Sequence, residues 1–379
     1  MDLFEQKLGR RDVLRLAVVA GSASLLAACG GGDEDGTVGA GQTTATLERP
    51  PIGQEPGNLS ILEYAGYEVP DLWKPYAARF PDEKPKYTFF ASDQDALGKV
   101  AAGRRGDLVH PCSGFVPDFV QTGAVQPWDT SLITNFPDLN PALVEVGRVD
   151  DQQYFIPLDW GFISVLYRAD RVEPEEDSWM LLFDDRYAGK IVWYDSAQDM
   201  LAIGAYALGV TDPWDMSDDE LQEVTDFMIG KKRNVRRIWT NQVDMETDMA
   251  AGDAFVSYSW ASSWVTLKDK GVDVVYLNPK EGRLAFLCGM MLFEDTDNYH
   301  HAHAYADAWA SPESGLWLLN NYAYGHANTA VDLSQVDPTL VEAFSLRDPE
   351  AIAEPQTHVL RYVENRQRYG QAWDEIKAA

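Results

Sequence analysis

From residue 58 onward the chain alternates short apolar runs with segments whose apolar residues recur every third or fourth position. Asn58–Tyr64 predicts a strand. Pro70–Phe80 predicts a helix with Leu72, Trp73, Tyr76, Ala77 and Phe80 on one face. Lys86–Phe90 predicts a second strand, after which Ser92 caps a helix through Ala102 that Gly103 ends. Asp107–His110 predicts a third strand. Strand, helix and strand with short joins make a parallel α/β sheet. The later chain keeps this style without an internal repeat of fixed period. Lys190–Tyr194, Ala254–Ser259 and Val272–Leu277 predict strands. Ser217 and Glu220 predict a capping box that opens a helix with Leu221, Val224, Phe227 and Met228 inward. Gly230 is expected to stop that helix, with Lys231, Lys232 and Arg233 beside its negative end. His300–Trp309 and Pro312–Tyr322 predict two more helices.

The N-terminal stretch follows neither period. Its apolar run Leu16–Ala28 is 13 residues long, whereas a spanning helix needs about 20. Lys7, Arg10, Arg11 and Arg15 precede or open it against Asp2, Glu5 and Asp12. A weakly positive start, a short apolar core and small residues before a break make a secretory signal over residues 1–28. Arg10-Arg11 followed by Asp12-Val13-Leu14 resembles a twin-arginine signal. Leu26-Ala27-Ala28-Cys29 resembles a bacterial lipobox, with Cys29 as the lipidated first residue of the mature chain, rather than a plain cleaved signal beside a stray cysteine. One acyl chain holds weakly and stable anchoring takes two or more. Residues 29–57 then read as the lipidated cysteine and a flexible tether, because Gly, Asp, Glu, Thr and Pro there bury too little apolar surface to fold. The expected location is outside the cytoplasm, with contact to a membrane through the lipid only.

Composition narrows the function. The remainder of the 379 residues suggests two domains, taking about 150 residues per domain as a guide. Net charge is −29, with 60 acids against 31 bases. Nucleic-acid binding is not expected, since phosphate contacts need clustered Lys and Arg. The acidity suits a cationic ligand, and equally plain solubility or a salty habitat. Apart from Cys29 only Cys112 and Cys288 remain, a pair able to form a disulfide outside the cytoplasm.

Nucleophile, P-loop and dinucleotide motifs are absent from the sequence. No cofactor is expected. His300, His301 and His303 have the side chains of metal ligands, but at the start of an amphipathic helix they read as a solvated face. The aromatic load is heavy, with 12 Trp and 17 Tyr, and much of it falls at strand ends or turns: Tyr64, Tyr67, Trp160, Trp193, Tyr194, Trp260 and Trp264. Ligands of open α/β sheets bind outside the carboxyl ends of the strands. Rings there hold apolar chains or cations, each cation–π contact contributing roughly 0.5–2 kcal/mol. Asp159, Asp195 or Asp199 would add a carboxylate. Core packing of the rings is the competing explanation.

The segment order resembles that of the periplasmic spermidine/putrescine-binding proteins of ABC transporters from about Asn58 to the C-terminus. The resemblance is carried by YAGYEVPDLW, GDLVHPCSGFVPDFVQTGAVQPWDTSLITNFPDLNP, YFIPLDWGFISVLYRAD, IVWYDSAQDMLAIGAYALG, AAGDAFVSYSWASSW and GVDVVYLNPKEGRLAFLCGMMLF. It implies an α/β fold of the two-lobe, type II-like periplasmic binding class, each lobe a sheet flanked by helices. The lobes would be residues 58–164 plus 286–333, and 165–285 plus 334–379, with hinges near Trp160–Val165, near Gly282–Phe286 and shortly after Thr329. Carried over by residue, the pocket is an aromatic box of Tyr64, Tyr67, Trp260, Phe286 and Tyr324, with Gln356 as a polar contact. Cys112 and Ser113 also fall on pocket positions. The family's acidic clamp falls on Ser196, Asp199 and Cys288, so only Asp199 keeps its charge; a one-residue slip would exchange Ser196 for Asp195. Both cysteines then map near the cleft, either joined as a disulfide, holding a soft metal, or as separate buried thiols. An ammonium in a partly dry cleft needs carboxylate partners. The expected function is therefore capture of a polyamine or smaller cation for an ABC permease by a monomeric, non-enzymatic receptor. A quaternary ammonium, a thiamine-like cation, an amino-phosphonate or ferric iron are the alternatives in the same fold, and an exported enzyme a further one.

Overall fold

A computed structural model describes residues 49–347, 357–361, 363 and 365–379. The signal segment, Cys29 and Gln356 lie outside the described residues. The chain divides into two units, Met1–Pro50 and Pro51–Ala379. All the described helices and strands belong to the second.

The first part of this unit carries β1 (Ser60–Tyr64), α1 (Lys74–Arg79), β2 (Lys86–Phe90), α2 (Asp93–Ala101), β3 (Leu108–Val109), α3 (Val116–Gln121), β4 (Val125–Gln126) and α4 (Pro141–Val146). The pair β5 (Arg148–Val149) and β6 (Gln152–Gln153) leads into the long β7 (Ile156–Arg168). A second part comes next: β8 (Ile191–Tyr194), α5 (Ala197–Ala207), α6 (Asp218–Lys232), β9 (Val235–Trp239), α7 (Gln242–Ala251), β10 (Val256–Trp260), α8 (Ala261–Asp269) and β11 (Val274–Tyr276). The long β12 (Arg283–Phe293) returns, succeeded by α9 (Tyr299–Trp309), α10 (Pro312–Tyr322), β13 (Gly325–His326), α11 (Pro338–Ala343), β14 (Thr357–Val359) and α12 (Arg366–Ala378).

The strands hydrogen-bond in the order β2-β1-β3-β12-β7-β10-β8-β9. Both ends of this path are parallel, as β1 pairs with β2 and β3 and as β8 pairs with β9 and β10. Antiparallel β7 and β12 join the two ends. They are 13 and 11 residues long and almost wholly buried, against a usual strand of about 5–6. Their near-continuous apolar sequence fits strands covered on both faces. Ile156–Ile163 of β7 run beside β12, and Ile163–Tyr167 pair with β10. The register of β12 shifts between Cys288 and Gly289, shortly before Met291 and Leu292 pair with β3.

This is the mixed α/β architecture expected, with local corrections. The predicted helix over Pro70–Phe80 is a 3-10 turn over Pro70–Trp73 followed by α1, because Pro75 has no N–H to continue one ladder through that point. Gly230 does not stop α6, which runs to Lys232. The packing of Leu221, Val224 and Met228 outweighs a helix glycine that costs about 1 kcal/mol. The capping box of Ser217 and Glu220 is present. His301 and His303 are buried, not solvated: α9 docks on α1, where His301 Nδ1 lies 2.9 Å from Tyr76 Oη and His303 Nε2 accepts the Asp129 N–H at 3.2 Å. The tether expected up to residue 57 ends earlier. Ile52–Gln54 forms a 3-10 turn, and both Glu55 carboxylate oxygens accept backbone N–H groups at the start of α9, from His300 at 2.7 Å and His301 at 2.9 Å.

Candidate functional site

Parallel strands that end at one level bring their last side chains together. Here β1 ends at Tyr64, β2 at Phe90, β8 at Tyr194, β9 at Trp239 and β10 at Trp260. On the first side Tyr64 packs edge-on to Phe90 at 4.3 Å between ring centroids and faces Tyr67 at 6.3 Å. The rings continue through Tyr322, 5.9 Å from Tyr67, and Tyr324, 5.7 Å further, to Phe286 at 5.0 Å. On the second side Trp260 packs edge-on against Tyr194 at 5.0 Å and Trp239 at 5.5 Å.

The two sides meet. The Tyr194 hydroxyl donates to the Ala91 carbonyl at 2.9 Å, and the Tyr324 and Ser262 hydroxyls lie 3.0 Å apart. Gly161 on β7 makes room for the Phe286 and Tyr324 rings, since a Cβ there would stand 2.8 Å from Phe286.

Two carboxylates enter the same place. Asp199 sits in the first turn of α5, whose N-cap is Ser196, and its Oδ2 accepts the Tyr258 hydroxyl at 2.6 Å. Burial raises its pKa above the usual carboxylate value, against the Tyr258 and Ser196 hydrogen bonds. Asp93 opens α2 from the other side, and its Oδ1 accepts the Cys112 N–H at 2.8 Å. Burial, aided by the Asp199 charge, pushes the Asp93 pKa up to about 6. Burial and then the Asp93 charge lift the Tyr64 phenol well above its ordinary value, with smaller contributions from Tyr194 and Asp199. The four groups therefore form one neighbourhood.

Cys112 and Cys288 are joined as a disulfide beside it, with the Tyr64 hydroxyl 3.9 Å from Cys112 Sγ. Neither sulfur is a free thiol or a metal ligand. Ser113 comes next, half-buried at the start of a short 3-10 turn. The Ser196 hydroxyl is occupied in accepting the Asp199 N–H at 3.3 Å. Asp195 turns away, accepting the Trp373 indole N–H at 2.7 Å and the Lys377 ammonium at 3.2 Å. Of the strand-end aromatics, Trp160 and Trp193 are core side chains and Trp264 packs edge-on against Phe344. Their indoles fill the layer between sheet and helices, which sequence position alone does not distinguish from a cleft wall.

Sequence reasoning missed Asp93, Tyr258 and Tyr322. Asp93 follows the cap residue Ser92, so it reads as an acid favouring a helix N-terminus. Its one legible signal was position, directly after a parallel strand. Asp159 was named, but not its partners: His110 Nδ1 lies 2.8 Å from Glu63 Oε1 and its Nε2 lies 3.1 Å from Asp159 Oδ1. The Tyr67 hydroxyl donates to Asp159 Oδ2 at 2.8 Å. This arrangement offers an ammonium ring faces and carboxylate oxygens together.

Comparison with known proteins identifies the family and the fold. The family model described as bacterial extracellular solute-binding protein matches residues 87–343. The chain is 26% identical over 302 residues to the putrescine-binding periplasmic protein of Escherichia coli K12, covering 74% of this chain and 80% of that protein. It is 22% identical over 256 residues to the spermidine/putrescine-binding periplasmic protein of the same organism, covering 64% and 70%. Among solved structures, a putative spermidine/putrescine ABC transporter protein of Listeria monocytogenes superposes with a TM-score of 0.75 at 21% identity, covering 84% of this chain and 98% of that one. MotA of Agrobacterium tumefaciens, solved with glucopine, superposes with a TM-score of 0.71 at 15% identity over 84% and 99%. At such identities these structures establish the fold, that of two-lobe periplasmic binding proteins.

Proposed function

The chain belongs to the bacterial extracellular solute-binding proteins, and on that premise we propose that it captures a polyamine-like small cation by hinge closure and presents it to the permease of an ABC importer. One observation carries the reading: the Tyr194 hydroxyl of one side donates to the Ala91 carbonyl of the other at 2.9 Å, where Tyr64 and Asp93 face the Asp199 charge. Relatives named for putrescine and spermidine support it.

In this reading Tyr64, Tyr67, Trp260, Phe286 and Tyr324 enclose the solute, Asp199 and Asp93 take its ammonium, and Gln356 adds a polar contact. The lobes are residues 58–164 plus 286–333 and 165–285 plus 334–379. β7 and β12 cross between them, and bending at Trp160–Val165, at Gly282–Phe286 and after Thr329 opens the cleft. The work is capture, not turnover, and the closed shape is what the permease recognises. The N-terminal segment exports the chain and a lipid on Cys29 keeps the monomer at the membrane surface.

The disulfide favours one second reading. Where the family resemblance expects an acid, Cys288 is bonded to Cys112, leaving fewer carboxylates for a second amine. A singly charged quaternary ammonium, held by rings without hydrogen bonds, fits that arrangement.

Thermal-shift and calorimetric titration of the protein with putrescine, spermidine, glycine betaine and thiamine tests both. A solute that binds only the folded form adds about 2.7 kcal/mol of stability at 100 times its Kd. Stabilisation by the polyamines supports the first reading, by betaine alone the second, and by none of them overturns both.

A further inference from the structure

The side chains of Glu63, His110 and Asp159 are all 0% exposed. Burying charge is costly, and replacing a buried ion pair by apolar residues of similar volume is often neutral or stabilising. Such a triad needs a reason beyond stability. Both imidazole nitrogens face carboxylate oxygens, at 2.8 Å and 3.1 Å. Each carboxylate also accepts elsewhere: Glu63 Oε1 from the Tyr64 N–H at 2.8 Å, and Asp159 Oδ2 from the Tyr67 hydroxyl at 2.8 Å. Acceptors on both sides of the ring call for hydrogens on both nitrogens, that is, an imidazolium. Burial alone would strip that proton, but the Glu63 and Asp159 carboxylates outweigh it and lift the His110 pKa to about 10. The imidazole thus faces two carboxyl groups, of which Glu63 is held above its ordinary pKa by burial, its Oε2 having no hydrogen-bond partner among the described residues.

The triad is wired to the cleft. Tyr67 stacks on Trp309 at 5.8 Å and meets His110 edge-on at 5.1 Å, while its hydroxyl is tied to Asp159. A phenol that donates to a carboxylate gains electron density, and its ring face attracts cations more strongly.

We infer that Glu63, His110 and Asp159 are positioning residues that fix the Tyr67 ring and hold the Asp159 carboxylate at its hydroxyl end, so that the cleft selects positively charged solutes from beneath its lining. The inference rests on the polyamine reading above. It supplies negative charge close to where Cys288, itself opposite Asp159 in the β7–β12 pairing, offers none.

Asp159→Asn keeps the volume and an acceptor for Tyr67 but removes the charge. The expected result is a putrescine Kd about tenfold weaker, a smaller loss for the monocation 4-aminobutan-1-ol, and an imidazole that titrates at an ordinary pH. Should that variant misfold, Tyr67→Phe cuts the same link without touching the triad and is expected to weaken putrescine about fivefold. Unchanged putrescine affinity in either folded variant, or equal losses for the two amines, overturns the inference. Nitrogen-15 NMR of the wild type tests the triad without any solute. Two protonated ring nitrogens on His110 at pH 8 support it, and a neutral ring overturns it. A wild type that binds no amine yet holds His110 charged overturns the polyamine reading and leaves the triad standing.

Discussion

In the proposed function, single side chains decide how a cation is held. Asp199 and Trp260 contribute by different physics, so their loss is expected to separate. Trp260→Ala removes a ring face and weakens any solute in the cleft, by roughly 0.5–2 kcal/mol for a cation that had stacked on it. Asp199→Asn weakens amines selectively; equal amine binding by wild type and variant in calorimetry would remove that role. Asp93 carries a pH signature. Its pKa rises from 3.8 to about 6 on folding, so between these values the folded chain binds the extra proton and loses stability as pH climbs. Above pH 6 the ionised Asp93 is available to an ammonium. Asp93→Asn is therefore expected to raise the melting temperature of the solute-free protein relative to wild type at pH 7, by less at pH 4, and to weaken putrescine. Melting curves at several pH values check the sign. Tyr64, Tyr67 and Asp199 were legible because their neighbours in sequence carry a pattern. Asp93, Tyr258 and His110 were not, because their partners are distant in sequence: the pairing of β1 with β2 and β3 gathers Asp93 and His110, and that of β10 with β8 brings Tyr258 to Asp199.

Among whole elements, β1, β2, β3, β8 and β10 and the helices α2, α6, α9 and α10 were legible from period and caps, where Ser92 and Ser217 each accept the N–H that a cap requires; β9 and the helices α3–α5, α7, α8, α11 and α12 were not named. Ser217→Ala is expected to cost about 1 kcal/mol in urea unfolding, as cap losses do. The fate of Pro75 and Gly230 was less legible, since one local rule must be weighed against the packing of a whole helix. The disulfide joins elements as well. It ties the turn after β3 to the point where β12 changes register, across 176 residues of sequence. Cys112→Ser with Cys288→Ser is expected to lower unfolding free energy by about 2–4 kcal/mol. Alkylation followed by mass spectrometry should find both thiols blocked until reductant is added.

The whole molecule sums these terms against pH. Burial depresses His303 and His326 to about 4. Their contribution to stability is present above the unfolded value near 6.5 and is lost as pH falls toward 4. His110 works the other way: held at about 10, its contribution is complete below the unfolded value and is lost as pH rises through that range. Stability is expected to peak near neutrality and fall on both sides. Replacing His110 by Asn should strand two buried carboxylates and lower stability by about 3–5 kcal/mol, which differential calorimetry from pH 4 to 10 measures. The halves share this pH response because β7 and β12 put both on one continuous framework.

The grip of Glu55 on the first turn of α9 has a mechanical corollary. Gly57 adds to it, its N–H bonding Asn298 Oδ1 at 2.7 Å, and Asn298 in turn donates to Asp107 beside β3. A pull on the backbone at Pro51 would therefore reach α9 and the β1–β3 side before the β8–β10 side.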